Sequence, residues 1–371
     1  MRITRVETIP VRVPLKAGLT TKTAHGEHVD SHYVIVRLHT DGGLIGLGEA
    51  TVDPLWSGES AKGCLIAIEQ ILAPVLVGTD PMELTVLRGR MDKNLKLNPF
   101  TKAAIEMALW DLAGKAAGVP VYQLLGGKVR SAIPVKMVVG AFDVRKAVEL
   151  TERFLKSGVK CLKVKVGLDP AGDLERVTAV REVAGPNIPI GIDTNCGWNA
   201  TRARQMLPRL EPFNILFAEQ PIPPGDAKLL AEVRLSTRIP IMADESIFTL
   251  TDAWNLATAQ AADILSIYPG KHGGLAASVE IAHVAKAAGM VCAVGSNLEL
   301  GIGTAAMLHL AAALPVIDSE TYPSDIIGPL YHEADLLTES LSLGPALNRV
   351  PDGPGLGVEL DEKQLERYRE R

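Results

Sequence analysis

The chain has 371 residues, 47% hydrophobic and 22% charged, with a formal net charge of −5. That length and apolar content suffice for a large core and for more than one domain. A mildly acidic balance without a basic stripe offers nothing to a polyanion, which excludes a nucleic-acid partner.

The first fifty residues alternate apolar and polar positions as strands do, and VRLHTDGGLIGLGEA reads as a hairpin turning at Asp41-Gly42-Gly43. Residues 15–33 read as a long polar loop, and residues 50–60 as a second loop that carries Trp56. Binding residues concentrate in loops on a rigid scaffold. Trp56 is therefore expected to cover a substrate, and His25, with His28 and His32, to hydrogen-bond a polar one. Residues 60–118 switch to helical spacing. The clearest helix is TKAAIEMALWDLAGKAAG, with Thr101 as its N-cap and Gly118-Val119-Pro120 as its stop. Strands followed by helices, without alternation, indicate an α+β domain over residues 1–130.

Over residues 131–340, β-rich runs alternate with helical stretches. The runs are PVKMVVGAF, CLKVKVG, IPIGIDTN, NILFAEQP, PIMADES, DILSIYPG, VCAVGSN and VIDSETY. Each is apolar on both faces, as buried parallel strands are. Their even spacing predicts an α/β (β/α)8 TIM barrel in preference to a doubly wound open sheet. The Pro/Gly-rich tail, residues 341–371, is expected to run back over the N-terminal domain. The scattered cysteines Cys64, Cys161, Cys196 and Cys292 read as reduced thiols, with Cys161 and Cys292 in the core. Neither a signal peptide nor a membrane span is apparent, so a cytoplasmic protein without a membrane partner is expected.

Charged residues stand at the C-terminal ends of five successive barrel strands: Lys163 and Lys165, Asp193, Glu219, Asp244, and Lys271. In such a barrel these ends face the active-site mouth. Three crowded carboxylates repel one another, and a divalent cation relieves the repulsion. Oxygen-only ligands favour Mg²⁺, with Mn²⁺ as the alternative, and the chain shows no Cys or His ligand cluster to suggest zinc. Lys163 and Lys165, two apart on a strand, point to one face. Packing two ammoniums together near a metal is expected to lower at least one pKa. Lys271 enters from across the mouth. Two amines on opposite sides of one carbon can serve as a base and its facing acid, with the metal neutralising the developing enediolate.

At these residues the chain resembles the enolase superfamily, in particular its muconate lactonizing enzyme subgroup, and the resemblance spans essentially the whole length. LKVKVG, GIDTNCGW, FAEQP, MADES and GKHGGL are similar to the subgroup's K-x-K, D-x-N, E-Q-P, D-E-S and K-x-G-G segments. AAIEMALWDLAGKAAGVPVYQLLGG and GPGLGVELDE are similar to segments outside the site. A lysine base with Mg²⁺ is the superfamily's general pattern. The resemblance implies a modified (β/α)7β barrel closed by an α+β capping domain built from the N-terminal part and the tail. It makes Asp193, Glu219 and Asp244 metal ligands, Lys165 the principal base, Lys163 its support and Lys271 the group on the other face. Asn195 and Glu299 match secondary, substrate-side positions. It also implies a small carboxylic acid substrate and a homo-oligomer, dimer or octamer.

Departures leave the substrate open. Gly295-Ser296-Asn297 at strand seven lacks the histidine of the mandelate-racemase subgroup. Asp318-Ser319-Glu320 and the following TYPSD do not match the Asp-x-Asp of dipeptide epimerases, nor the Trp/Gly-containing strand eight of true muconate lactonizing enzymes. The leading expectation is an isomerase, either a muconate-type cycloisomerase or a racemase/epimerase. A dehydratase acting on a hydroxylated acid is the alternative. An inactive small-molecule-binding protein is more remote, and a Schiff-base aldolase would not need the carboxylates.

Overall fold

The computed structural model describes residues 1–370. Its N-terminal part contains strands β1 (Ile3–Pro14), β2 (Thr21–Thr23), β3 (Gly26–His28), β4 (Asp30–Thr40) and β5 (Ile45–Val52). An antiparallel sheet runs in the order β1-β4-β5, and β2 pairs with β3 as a separate hairpin. The β4–β5 turn falls at Asp41-Gly42-Gly43 as expected, with Gly43 at φ +80°. The polar loop expected at 15–33 is largely the β2–β3 hairpin, pairing Thr21 with His28 and Thr23 with Gly26. Its polar side chains conceal a ladder that is formed by backbone groups alone.

Helix Pro99–Ala117 lies against this sheet, buried from Phe100 to Leu109. The close approach depends on Gly46 and Gly48 in β5. A Cβ at Gly48 would sit 1.7 Å from the Ala104 carbonyl oxygen, and one at Gly46 2.2 Å from that of Ala108. Thr101 is not the N-cap. The helix begins after Asn98, and Glu59 caps it from a distant segment, accepting from the Phe100 and Thr101 N–H groups at 2.9 Å each and from Thr101 Oγ1 at 2.6 Å. A carboxylate on the positive end of a helix is well placed, but local spacing cannot reveal a long-range cap. Gly118, at φ +69°, ends the helix as expected.

Downstream come β6 (Ala132–Pro134), β7 (Met137–Val139), β8 (Leu162–Lys165), β9 (Ile190–Asp193), β10 (Ile215–Glu219), β11 (Ile241–Ala243), β12 (Ile264–Ile267) and β13 (Val291–Val294). Strands β7 to β13 form a parallel sheet in sequence order, each followed by helix, which gives the expected TIM-barrel architecture. The eighth run is weaker than expected. VIDSETY and its continuation meet the two sheet edges through single bridges, Cys292 to Ile317 and Val135 to Ser324, and one further backbone hydrogen bond, from the Asp325 N–H to the Val294 carbonyl at 2.8 Å. Pro315 and Pro323 lack amide hydrogens, and the Tyr322 N–H turns back to the Asp318 carbonyl at 2.9 Å, so a continuous ladder cannot form. Phe217, Met242, Ile264 and Ala293 fill the barrel interior, and Phe217 occupies the space that a side chain at Gly191 would need.

Strand β14 (Leu347–Arg349) pairs with β6. The tail then reaches the first sheet, where the Glu370 N–H donates to the Pro10 carbonyl at 2.9 Å. All four cysteines are free, and Cys161 and Cys292 are buried as expected.

Two outcomes follow for stability. Gly48→Ala forces the long helix off the sheet and costs about 3 kcal/mol or more, measurable as a lowered urea midpoint. Separately, His309 accepts from the Tyr122 N–H at 3.3 Å and donates to the Leu356 carbonyl at 3.1 Å, and burial lowers its pKa to about 4. Burial likewise lowers His332 to about 4. Because both folded values lie below the unfolded value, their stability is fully present above about pH 6.5 and is lost as pH falls through 4. Each contributes about 3 kcal/mol to that loss. Urea midpoints between pH 7 and 4 should fall accordingly, and less steeply for His309→Asn.

Candidate active site

The strand ends deliver the charged side chains to one cavity of about 760 Å³, including its open mouth. Lys163, Lys165, Asp193, Asn195, Glu219 and Asp244 line its floor, and Asp325, Tyr331 and Ser296 line one wall. The N-terminal part supplies the other wall through Thr21, Thr23, His25, His28, Asp53 and Trp56. Trp56 is half-buried, packed edge-on to Phe100 at 5.8 Å and tilted against Phe248 and Tyr268. His25 reaches across to Glu245 Oε1 at 3.1 Å, whereas His32 lies away from the cavity beside Asp30 and Glu370.

Each carboxylate faces an ammonium. Lys165 Nζ lies 2.5 Å from Asp193 and 2.7 Å from Asn195 Oδ1. Lys163 donates to Glu219 at 3.0 Å and to Asp325 at 2.7 Å. Lys271 is fully buried on the short helix after β12, donating to the Asp244 carboxylate, to the Asp244 carbonyl at 2.9 Å and to the Ser266 carbonyl at 2.7 Å. Its three hydrogens are thereby taken. Lys271 is buried against Asp244 and is not among the residues lining the cavity, instead of standing free across the mouth.

The electrostatics correct one expectation. Burial would lower the pKa of Lys163, but Asp325, Glu219 and Asp193 outweigh it and hold the ammonium well above its usual range. Three carboxylates lie within 3.4 Å of it, so it is not depressed as expected. Burial opposes ionisation of Asp193 too, yet Lys165 and Lys163 hold it down at about 2. Burial and then Asp193 push Glu219 up to about 8. Burial also raises Asp244.

This crowding fits a divalent cation. Asp193, Glu219 and Asp244 are each at most 6% exposed, offer only oxygen donors, and open on the same cavity. The part of the upward push on Glu219 that comes from Asp193 is repulsion of the kind such a cation removes. Glu299 is placed otherwise. Its carboxylate accepts from Ser296 Oγ at 2.6 Å and the Asn297 N–H at 3.1 Å, bracing the turn after β13 behind the cavity wall.

Two groups were not anticipated. Asp325, at the end of the eighth run, joins Lys163 to Lys136, whose buried ammonium lies 3.1 Å from Asp325 and 2.6 Å from the Pro323 carbonyl. The signal in the sequence was a charged residue, Lys136, inside the apolar run PVKMVVGAF. The structure also assembles a mixed cluster that linear spacing concealed. His25, Cys196 and Glu245 bring ligand atoms to within 4.8 Å of one another, although the chain shows no Cys/His spacing motif.

Comparison with known proteins identifies the family to which the whole chain is similar. Residues 3–126 match the mandelate racemase/muconate lactonizing enzyme N-terminal domain, and residues 146–364 match the enolase C-terminal domain-like model. The chain is 33% identical over 367 residues to N-succinyl-L-Arg/Lys racemase of Bacillus cereus, covering 99% of this chain and 97% of that one. It is 35% identical over 369 residues to muconate cycloisomerase 1 of Rhodococcus opacus, covering 97% and 96%. The solved dipeptide epimerase of Cytophaga hutchinsonii, complexed with Mg and D-Ala-L-Val, superposes with a TM-score of 0.94 at 34% identity, covering 100% and 99%.

Magnesium at a hundredfold its Kd should stabilise EDTA-treated protein by about 2.7 kcal/mol, seen as a raised thermal midpoint. Asp244→Asn should lose most of that rise while staying folded. A wild-type midpoint indifferent to Mg²⁺ would remove the ligand assignment.

Proposed function

The chain belongs to the mandelate racemase/muconate lactonizing enzyme family of the enolase superfamily, and we propose on that footing that it is an isomerase acting on a small carboxylic acid by abstracting the proton α to its carboxylate. The observation that carries this reading is the placement of Lys165 on the cavity floor. Its amine is oriented by Asn195 and Asp193, and the buried Lys271 is bonded to Asp244, another of the three carboxylates.

Asp193, Glu219 and Asp244 would hold Mg²⁺, or Mn²⁺, which supplies the positive charge that an enediolate requires. The protein's own groups divide the remaining work. Lys163, kept protonated by Asp325 and Glu219, binds the substrate carboxylate, and Lys136 holds Asp325 in place. Lys165, the more exposed lysine of the pair, takes the α-proton in its neutral form. Lys271 serves the opposite face, which requires Asp244 to release one of its hydrogens. Trp56 and the β2–β3 hairpin shut out water, which strengthens each of these charges.

Both a racemase/epimerase and a cycloisomerase use this chemistry. The outer wall of Thr21, Thr23, His28 and Asp53 is polar, which favours a substrate bearing amide or hydroxyl groups, and so 1,1-proton transfer, over a hydrocarbon diacid. We take residues 1–130 and 341–371 as the cap that selects the substrate and residues 131–340 as the barrel that performs the chemistry. We also place the enzyme in the cytoplasm as a homo-oligomer. Among the described residues no helix is long and apolar enough to cross a membrane.

The test is α-hydrogen exchange in D₂O across a set of N-acyl amino acids and lactone-forming diacids. Lys165→Ala should lose about a thousandfold or more in exchange with at least one stereoisomer. Exchange near the wild-type rate in that variant would show that Lys165 is not the base.

A further inference from the structure

Beside the cavity, three segments distant in the chain converge. The tip of the β2–β3 hairpin carries His25, the turn after β9 carries Cys196, and the end of β11 leads into Glu245. One ligand atom from each lies within 4.8 Å of the other two. Glu245 is buried. Its Oε1 accepts from His25 at 3.1 Å and from Asn195 Nδ2 at 3.0 Å, while its Oε2 is buried with no hydrogen-bond partner. A buried carboxylate oxygen without a partner is costly and points to something that completes it.

We propose that His25, Cys196 and Glu245 form a second metal site, selective for a zinc-type divalent cation, and that the bound ion ties the hairpin to the barrel. Imidazole, thiolate and carboxylate are the zinc ligand types, and three of them leave a fourth position for water. Zn–N and Zn–S bonds set a ligand separation of roughly 3.5 Å. The three ligand atoms lie within 4.8 Å of one another and draw together to that separation when they bind the ion. On binding, Cys196 Sγ loses its proton to solvent and bonds the metal, and Glu245 Oε2 gains its missing partner. The site differs in kind from Asp193, Glu219 and Asp244, whose oxygens suit a hard ion.

The hairpin makes this consequential. It supplies Thr21, Thr23, His25 and His28 to the cavity wall, and it is held to the barrel by a 2.7 Å hydrogen bond from the Ala141 N–H to the Lys22 carbonyl. A metal at its tip adds a second anchor.

The full chain, saturated with Mg²⁺ to fill the oxygen site, is titrated with Co²⁺ and followed by absorption. One equivalent should produce a near-ultraviolet thiolate-to-cobalt band. That band should vanish in Cys196→Ser, and His25→Gln and Glu245→Gln should each weaken Co²⁺ by tenfold or more. Circular dichroism and the Mg²⁺-dependent thermal midpoint verify that each variant is folded. Zn²⁺ should also slow tryptic cleavage after Lys22 in the wild type but not in Cys196→Ser. The site is overturned if no band forms, if the band survives in Cys196→Ser, or if His25→Gln binds as tightly as the wild type. Zn²⁺ that binds without protecting Lys22 overturns the tethering. None of these readouts requires turnover, so they stand apart from the isomerase assignment.

Discussion

Three carboxylates, those of Asp193, Glu219 and Asp244, are buried together at the ends of neighbouring strands, where like charges repel and water cannot screen them. Most of what surrounds them answers that cost. Lys165 faces Asp193, Lys163 faces Glu219, and Lys271 faces Asp244. Asp325 and Lys136 extend the alternation of charge to the barrel seam. The same lysines that balance the carboxylates are the ones to which the proposed function gives proton chemistry, so on that proposal removal of any one of them disturbs both charge balance and reactivity.

The alternation also accounts for the differences among the lysines. Lys163 has three carboxylate neighbours and is fixed as a cation. Lys271 has every hydrogen engaged and no exposure. Lys165 shares Asp193 and a neutral amide and retains a path to the cavity. Of the three, its side chain is the least buried.

A barrel mouth alone would be open to solvent. The wall that encloses it comes from the N-terminal segments, held against the barrel by packed helices and strands instead of by the carboxylate cluster. On the proposed function, chemistry and substrate choice thus reside on different parts of the chain. Trp56 illustrates the join: its indole packs tilted against Phe248 and Tyr268 from the barrel and edge-on against Phe100 from the long helix. This packing positions the loop that carries it.

Much of this was legible in the sequence because the signals were local. Apolar runs of strand length, each closed by a charged residue and followed by a helix, specify a parallel barrel and place Lys163, Lys165, Asp193, Glu219 and Asp244 at its mouth, since strand periodicity alone decides which way a side chain points. What required the tertiary structure were pairings between distant segments. Glu59 capping the helix at Phe100, Asp325 bridging Lys163 and Lys136, and the eighth run reduced to single bridges all depend on which backbone groups approach in space. The convergence of His25, Cys196 and Glu245 is of the same kind. No spacing rule connects a hairpin tip to two strand ends, because only the closure of the cap onto the barrel brings their side chains together.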